Sequence, residues 1–127
     1  MFFRAAFFCF NLFALPLKLH MTKNIYFASD FHLGTPSYAE SRKREARIVS
    51  WLNFIEPNCS ELFLMGDIFD FWFEYAKVIP KGFIRLQGKL AAMADAGIRI
   101  YFFKGNHDMW VRDYFTQEIG MEIISDE

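Results

Sequence analysis

From Asn24 onward, apolar and polar positions fall into blocks that switch between a strand-like and a helix-like period. Ile25-Tyr26-Phe27-Ala28-Ser29 is a short, continuous apolar run, the pattern of a strand buried on both faces. A loop follows from Asp30 to Ser37, punctuated by Gly34 and Pro36. Tyr38 to Glu56 reads as a helix, with Val49, Leu52 and Ile55 at helical spacing and Pro57-Asn58 closing it. Leu62 to Met65 is a second strand, ending at Gly66-Asp67 and followed by an aromatic loop from Ile68 to Tyr75. A second helix is predicted from Lys81 to Ala96, with Phe83, Leu86, Leu90 and Met93 on one face and Gly97 as its stop. Gly88 in its middle costs about 1 kcal/mol. Ile98 to Phe103 is the third strand. A last helix, Met109 to Ile119, turns Val111, Phe115 and Ile119 inward, and Met121 to Ile124 opens a fourth strand.

The order is βαβαβαβ, in units close to the ~30 residues of a parallel crossover. Crossovers of one hand bring all strand C-termini to one edge, where open α/β sheets take their ligands. The fold class is therefore α/β, a largely parallel sheet flanked by helices.

Residues 1–21 follow a different pattern. An apolar run from Ala5 to Leu15 is broken by Pro16 and Lys18, short of the ~20 residues needed to cross a bilayer. It is signal-like, but one positive charge precedes it and no small-x-small site follows. Because Met21 stands just before the first strand, a start assigned too far upstream is a further reading, beside a membrane-touching arm. His20 belongs to this segment and receives no role. The folded domain is expected over 22–127.

Composition narrows the picture. The chain of 127 residues suffices for one domain, and a net charge of −1 gives no global field for nucleic acid. A hydrophobic content of 54% implies either a very dry core or apolar surface awaiting cover. Cys9 and Cys59 lack zinc or redox spacing and read as reduced thiols. Arg42, Lys43, Arg44 and Arg47 read as a solvated helix face, with an anionic head group as the alternative partner.

The chemistry concentrates where strands end: Ser29-Asp30-Phe31-His32, Met65-Gly66-Asp67 and Lys104-Gly105-Asn106-His107-Asp108. Asp30 and His32, two apart in an extended segment, project to one side and together suit manganese, iron or zinc better than calcium. Asp67 has two oxygens with which to bridge two ions, and Asn106 offers a neutral carbonyl oxygen. His107 stands beside the site, with Asp108 next to it to fix the ring's tautomer. Singly, each turn has an ordinary reading: an Asx turn, a common Gly-Asp turn, a cap for a helix at Met109. Jointly they are harder to dismiss, since two of only three histidines lie in them and every turn follows a strand. Asp70 and Glu74 read as solvated acids among Phe69, Phe71, Trp72 and Phe73, which form either a substrate wall or a core cluster.

In this order on successive strands, Asp30-Phe31-His32, Gly66-Asp67 and Gly105-Asn106-His107-Asp108 resemble the first three blocks of the calcineurin-like metallophosphoesterase family, over Asn24 to Glu127. Ser29 to Gly34 together with Gly66 to Trp72 resemble the branch that hydrolyses UDP-2,3-diacylglucosamine in lipid A biosynthesis, whose better-known members carry arginine at the position of His107. The resemblance implies a two-sheet sandwich, of which this chain is the first half, and two divalent cations, manganese foremost. Asp30, His32 and Asp67 would hold one ion, and Asp67 and Asn106 the other. Water would attack phosphorus in line, His107 would stabilise charge or protonate the leaving group, and Asp108 would orient it. The implied partners are a UDP-linked acylated sugar, its acyl chains facing Phe69, Phe71 and Trp72, and the cytoplasmic face of the inner membrane as a peripheral contact. No nucleic acid is expected. The family's later histidines, including a Gly-His-x-His block, do not occur after Asp108. The expectation is thus an N-terminal fragment, inactive alone. The alternatives are another phosphodiesterase, phosphatase or nuclease of the family, or a non-catalytic scaffold.

Overall fold

The structure, a computed structural model, describes residues 22–125. The expectations for 1–21 lie outside the described residues. Strand β1 (Asn24–Ala28) leads into α1 (Tyr38–Ile55), a 3-10 turn (Glu56–Asn58) and β2 (Cys59–Leu64). Then follow α2 (Ile84–Asp95), β3 (Arg99–Phe103), α3 (Tyr114–Glu118) and β4 (Glu122–Ile124). The four strands form one parallel sheet in the order β1-β2-β3-β4. A sheet that adds each strand beside the last, always in one direction, sends every crossing helix over the same face.

The register rows display the consequence. Tyr26, Leu62 and Ile100 align, as do Leu64, Phe102 and Ile123 in neighbouring rows, and these side chains join Leu52, Ile55, Leu86, Leu90, Met93 and Phe115 in the core. The alternate positions form the opposite face. There Phe27 stacks on Phe63 at 4.9 Å and Phe63 on Tyr101 at 4.6 Å, with Phe27 64% exposed. The expectation of a first strand buried on both faces is corrected: among the described residues only one face is covered. No helix among them is long and apolar enough to cross a membrane.

Ser37 caps α1, its hydroxyl accepting from Glu40 N–H. The helix buries Ser41, Glu45, Ile48, Leu52 and Ile55, so Ile48 takes the inward place expected of Val49. Strand β2 begins at Cys59, earlier than expected, and Gly97 follows α2 with φ 93°. Helix α2 starts three residues later than its apolar period suggests, because Phe83 has left-handed φ 56° and cannot continue a helix. Phe83 also offers no side-chain cap; instead buried Glu45, reaching from α1, accepts from Arg85 and Leu86 N–H, both at 3.0 Å. Arg42 pairs with the same carboxylate.

The last helix is shorter than the sequence suggests, Tyr114–Glu118 rather than Met109 to Ile119. Trp110 is drawn instead into a parallel bridge with Phe73, and Val111 N–H closes a turn on Asp108. Buried Glu74 then accepts from Asp113 and Tyr114 N–H and from the Trp72 indole. Val111, Phe115 and Ile119 are nevertheless buried, as their spacing implied.

Candidate metal centre

The first two strand ends stay zipped together after the sheet stops. Asp30 N–H donates to Gly66 O, His32 N–H to Asp67 O and Leu33 N–H to Ile68 O, at 3.0–3.2 Å. Asp30, His32 and Asp67 all take left-handed backbone, with φ of 57°, 43° and 53°. This costs roughly 1–2 kcal/mol per residue for an ordinary side chain, less for Asp. The expectation that Asp30 and His32 share one side of an extended segment is corrected: both residues are left-handed, and their donors meet from that backbone.

The second and third ends meet at two glycines. A Cβ on Gly66 would lie 2.9 Å from the Gly105 backbone, and one on Gly105 would lie 2.2 Å from Asp67 Oδ1. His107 N–H donates to that same oxygen at 3.1 Å. Exposed Asn106 therefore sits between two residues that both touch Asp67. An open cleft of about 340 Å³ adjoins it, lined by Phe103, Lys104, Asn106, Met109 and Ile124.

Asp30, His32 and Asp67 each bring a ligand atom within 4.8 Å of the others, and His32 Nε2 stands 3.7 Å from Asp30 Oδ1. Two carboxylates and an imidazole, all partly solvated, fit a divalent cation of the manganese, iron or zinc kind.

The acid that holds His107 is Asp70, not Asp108. His107 Nδ1 lies 2.9 Å from the Asp70 carbonyl oxygen and 3.6 Å from its Oδ1. A carbonyl only accepts, so Nδ1 carries the hydrogen and Nε2 is left to exchange a proton. Asp70 Oδ1 is also 3.6 Å from His32 Nδ1, and the two imidazoles meet edge to face at 4.9 Å. Sequence reasoning set Asp70 aside as a solvated acid; its one signal was its place in the loop that Asp67 opens.

Asp108 is corrected from orienting group to buried strut. Its carboxylate, 0% exposed, accepts from Gly105 N–H at 2.7 Å, Ile68 N–H at 2.9 Å, Asp67 N–H at 3.3 Å and Phe69 N–H at 3.4 Å. It binds the second turn to the third and caps no helix at Met109. The aromatic run divides in a similar way. Phe69 and Trp72 are core residues packed on Phe115, which removes them from any substrate surface. Phe71 stays 59% exposed, and Glu74 is buried rather than solvated. Met109 and Trp110, which the sequence reading gave no part in a surface, are exposed just after His107 and Asp108.

Comparison with known proteins bears on these turns. The calcineurin-like phosphoesterase family model matches residues 23–125. The chain is 46% identical over 103 residues to a UDP-2,3-diacylglucosamine hydrolase of Porphyromonas gingivalis, covering 81% of this chain and 39% of that protein. Similar proteins of the same name occur in Nitrosococcus oceani, at 32% over 101 residues (80% of this chain, 38% of that one), and in Haemophilus influenzae, at 28% over 107 (82% and 42%). The chain thus spans about two fifths of the length of these curated relatives.

Proposed function

Because this chain belongs to the calcineurin-like phosphoesterase family, we propose that it carries the first part of a two-cation site that hydrolyses the pyrophosphate bond of UDP-2,3-diacylglucosamine. The products are UMP and 2,3-diacylglucosamine 1-phosphate, a step of lipid A biosynthesis. The observation that carries the reading is the convergence of Asp30, His32 and Asp67 donors within 4.8 Å at the C-terminal edge of a parallel sheet. The substrate follows from the name shared by the similar proteins.

In this reading Asp30, His32 and Asp67 hold one cation, and Asp67 and Asn106 the second. When bound, divalent ions such as manganese supply charge for the phosphoryl oxygens and acidify the attacking water. His107, its Nδ1–H fixed on the Asp70 carbonyl, directs Nε2 toward the leaving oxygen to stabilise or protonate it. Phe71, Met109 and Trp110 give the rim an apolar flank suited to acyl chains. With such a substrate the protein would work in the cytoplasm, at the surface of the inner membrane. The donors present fall short of the roughly six ligands that manganese prefers, so the chain alone binds metal weakly and turns over little or nothing.

A second reading, a phosphodiesterase or phosphatase of broader specificity, draws on His107, where better-known members of the UDP-sugar branch carry arginine. The test is an assay with manganese of a protein that contains this chain. UDP-2,3-diacylglucosamine, a simple phosphodiester and a phosphopeptide are compared. UMP release well above hydrolysis of the other two is expected. The reverse preference selects the second reading, and no hydrolysis of any substrate leaves the non-catalytic scaffold.

A further inference from the structure

Arg44 lies on α1, remote in sequence from the strand ends, within the basic cluster expected to be solvated. Its neighbours behave as surface residues or local partners: Lys43 pairs with Glu40 at 2.8 Å, Arg42 pairs with Glu45, and Arg47 is exposed. Arg44 turns instead beneath the loop that leaves β1. Its Nη1 stands 2.9 Å from His32 O, 3.0 Å from Thr35 O and 3.3 Å from Phe31 O. One turn earlier on the same helix, Ser41 Oγ accepts from Gly34 N–H at 2.8 Å. Three carbonyl oxygens converging on one point repel each other, and a guanidinium, all donors and always charged, relieves that repulsion.

We infer that Arg44 is a positioning residue for the metal-binding pair Asp30 and His32: it holds the loop 31–35 in the left-handed course that presents both side chains at the rim. The inference rests on the metal-site reading above. Two effects of the residue oppose each other, which makes the sign informative. As a positive charge near a cation site, Arg44 repels the ion, so on that ground alone its removal tightens binding. As the clamp on a ligand-bearing loop, its removal weakens binding, about tenfold or more for a group that orients metal ligands.

The test uses a protein that contains this chain, not the chain alone, and compares the parent with Arg44→Met and Arg44→Lys. Manganese binding is followed by the paramagnetic resonance of the free ion. Hydrogen exchange at the Asp30, His32, Leu33 and Gly34 amides is measured separately without metal. Arg44→Met is expected to weaken manganese binding about tenfold or more, and Arg44→Lys, which keeps a cationic donor, by less. The four loop amides exchange faster in Arg44→Met, while β2 and β3 keep their protection. Manganese binding that is unchanged or tighter in Arg44→Met overturns the inference, and so does unchanged exchange in the loop. A parent protein that takes up no manganese refutes the metal-centre reading instead, and the metal-free exchange then decides the role of Arg44 by itself.

Discussion

The interior acids Glu45, Glu74 and Asp108 and the rim acids Asp30, Asp67 and Asp70 turn one chemical group to opposite ends. The interior three are almost fully buried, and each collects N–H donors from distant segments: Glu45 the start of α2, Glu74 the start of α3, Asp108 the loops after β2 and β3. Their lone pairs are engaged, and a cation would have to compete with the backbone for them. Of the rim three, Asp30 is exposed and Asp67 and Asp70 are partly so, and they are lightly bonded: Asp30 to the Ser29 hydroxyl, Asp67 to one N–H of His107. A carboxylate's availability as a ligand is thus set by how many N–H groups already face it, not by its nearness in sequence to a histidine.

The sharpest way to break this comparison is Asp108→Ala. It strands N–H groups of Asp67, Ile68, Phe69 and Gly105 and is expected to cost about 3–5 kcal/mol in urea unfolding, a large share of a small domain's stability. A loss under about 1 kcal/mol would mean the acid is no strut. Next comes Glu45→Ala, which uncaps α2 and leaves Arg42 without its partner; about 1–2 kcal/mol is expected in the same measurement.

At the rim the order of effects reverses. Asp30→Asn and Asp67→Asn are expected to change metal-free stability by no more than about 0.5 kcal/mol, because asparagine accepts left-handed backbone at least as well as aspartate. Manganese binding is expected to vanish in both. A rim variant that unfolds the chain without metal would erase the distinction between the two sets. The smallest effect concerns Tyr114, whose phenol is pushed above its usual range by burial, then by Glu118 and by interior Glu74. Folding disfavours the phenolate, so stability holds below about pH 10 and falls as the pH rises through the raised value. Tyr114→Phe should flatten that alkaline fall in unfolding measured across pH.

The strands, their order and the meeting of Asp30, His32 and Asp67 were legible because they follow from period and from crossover topology. The roles of Asp70 and Asp108 were not, because they depend on contacts between turns some 37–41 residues apart. His107 and Asp108 are neighbours in the chain, yet the carboxylate turns inward under the loop after β2 while the ring meets Asp70 of that same loop from outside. Phe69 and Phe71 divided for a similar reason: both belong to one aromatic run, and packing against residues distant in sequence, Phe83 and Phe115, draws only Phe69 into the core. The late start of α2 was hidden as well, since Phe83 matches the apolar period while its backbone is left-handed. A continuous apolar strand likewise gives no hint of which face has a cover.

The contact between Gly66 and Gly105 has a bearing on how such a chain tolerates change. Main chain rests on main chain there, so the gap between Asp67 and Asn106 is set by two glycines and the Asp108 carboxylate rather than by an apolar side chain that drift could resize. One methyl group added at Gly105 would wedge the two turns apart, and no adjustment elsewhere could close them again.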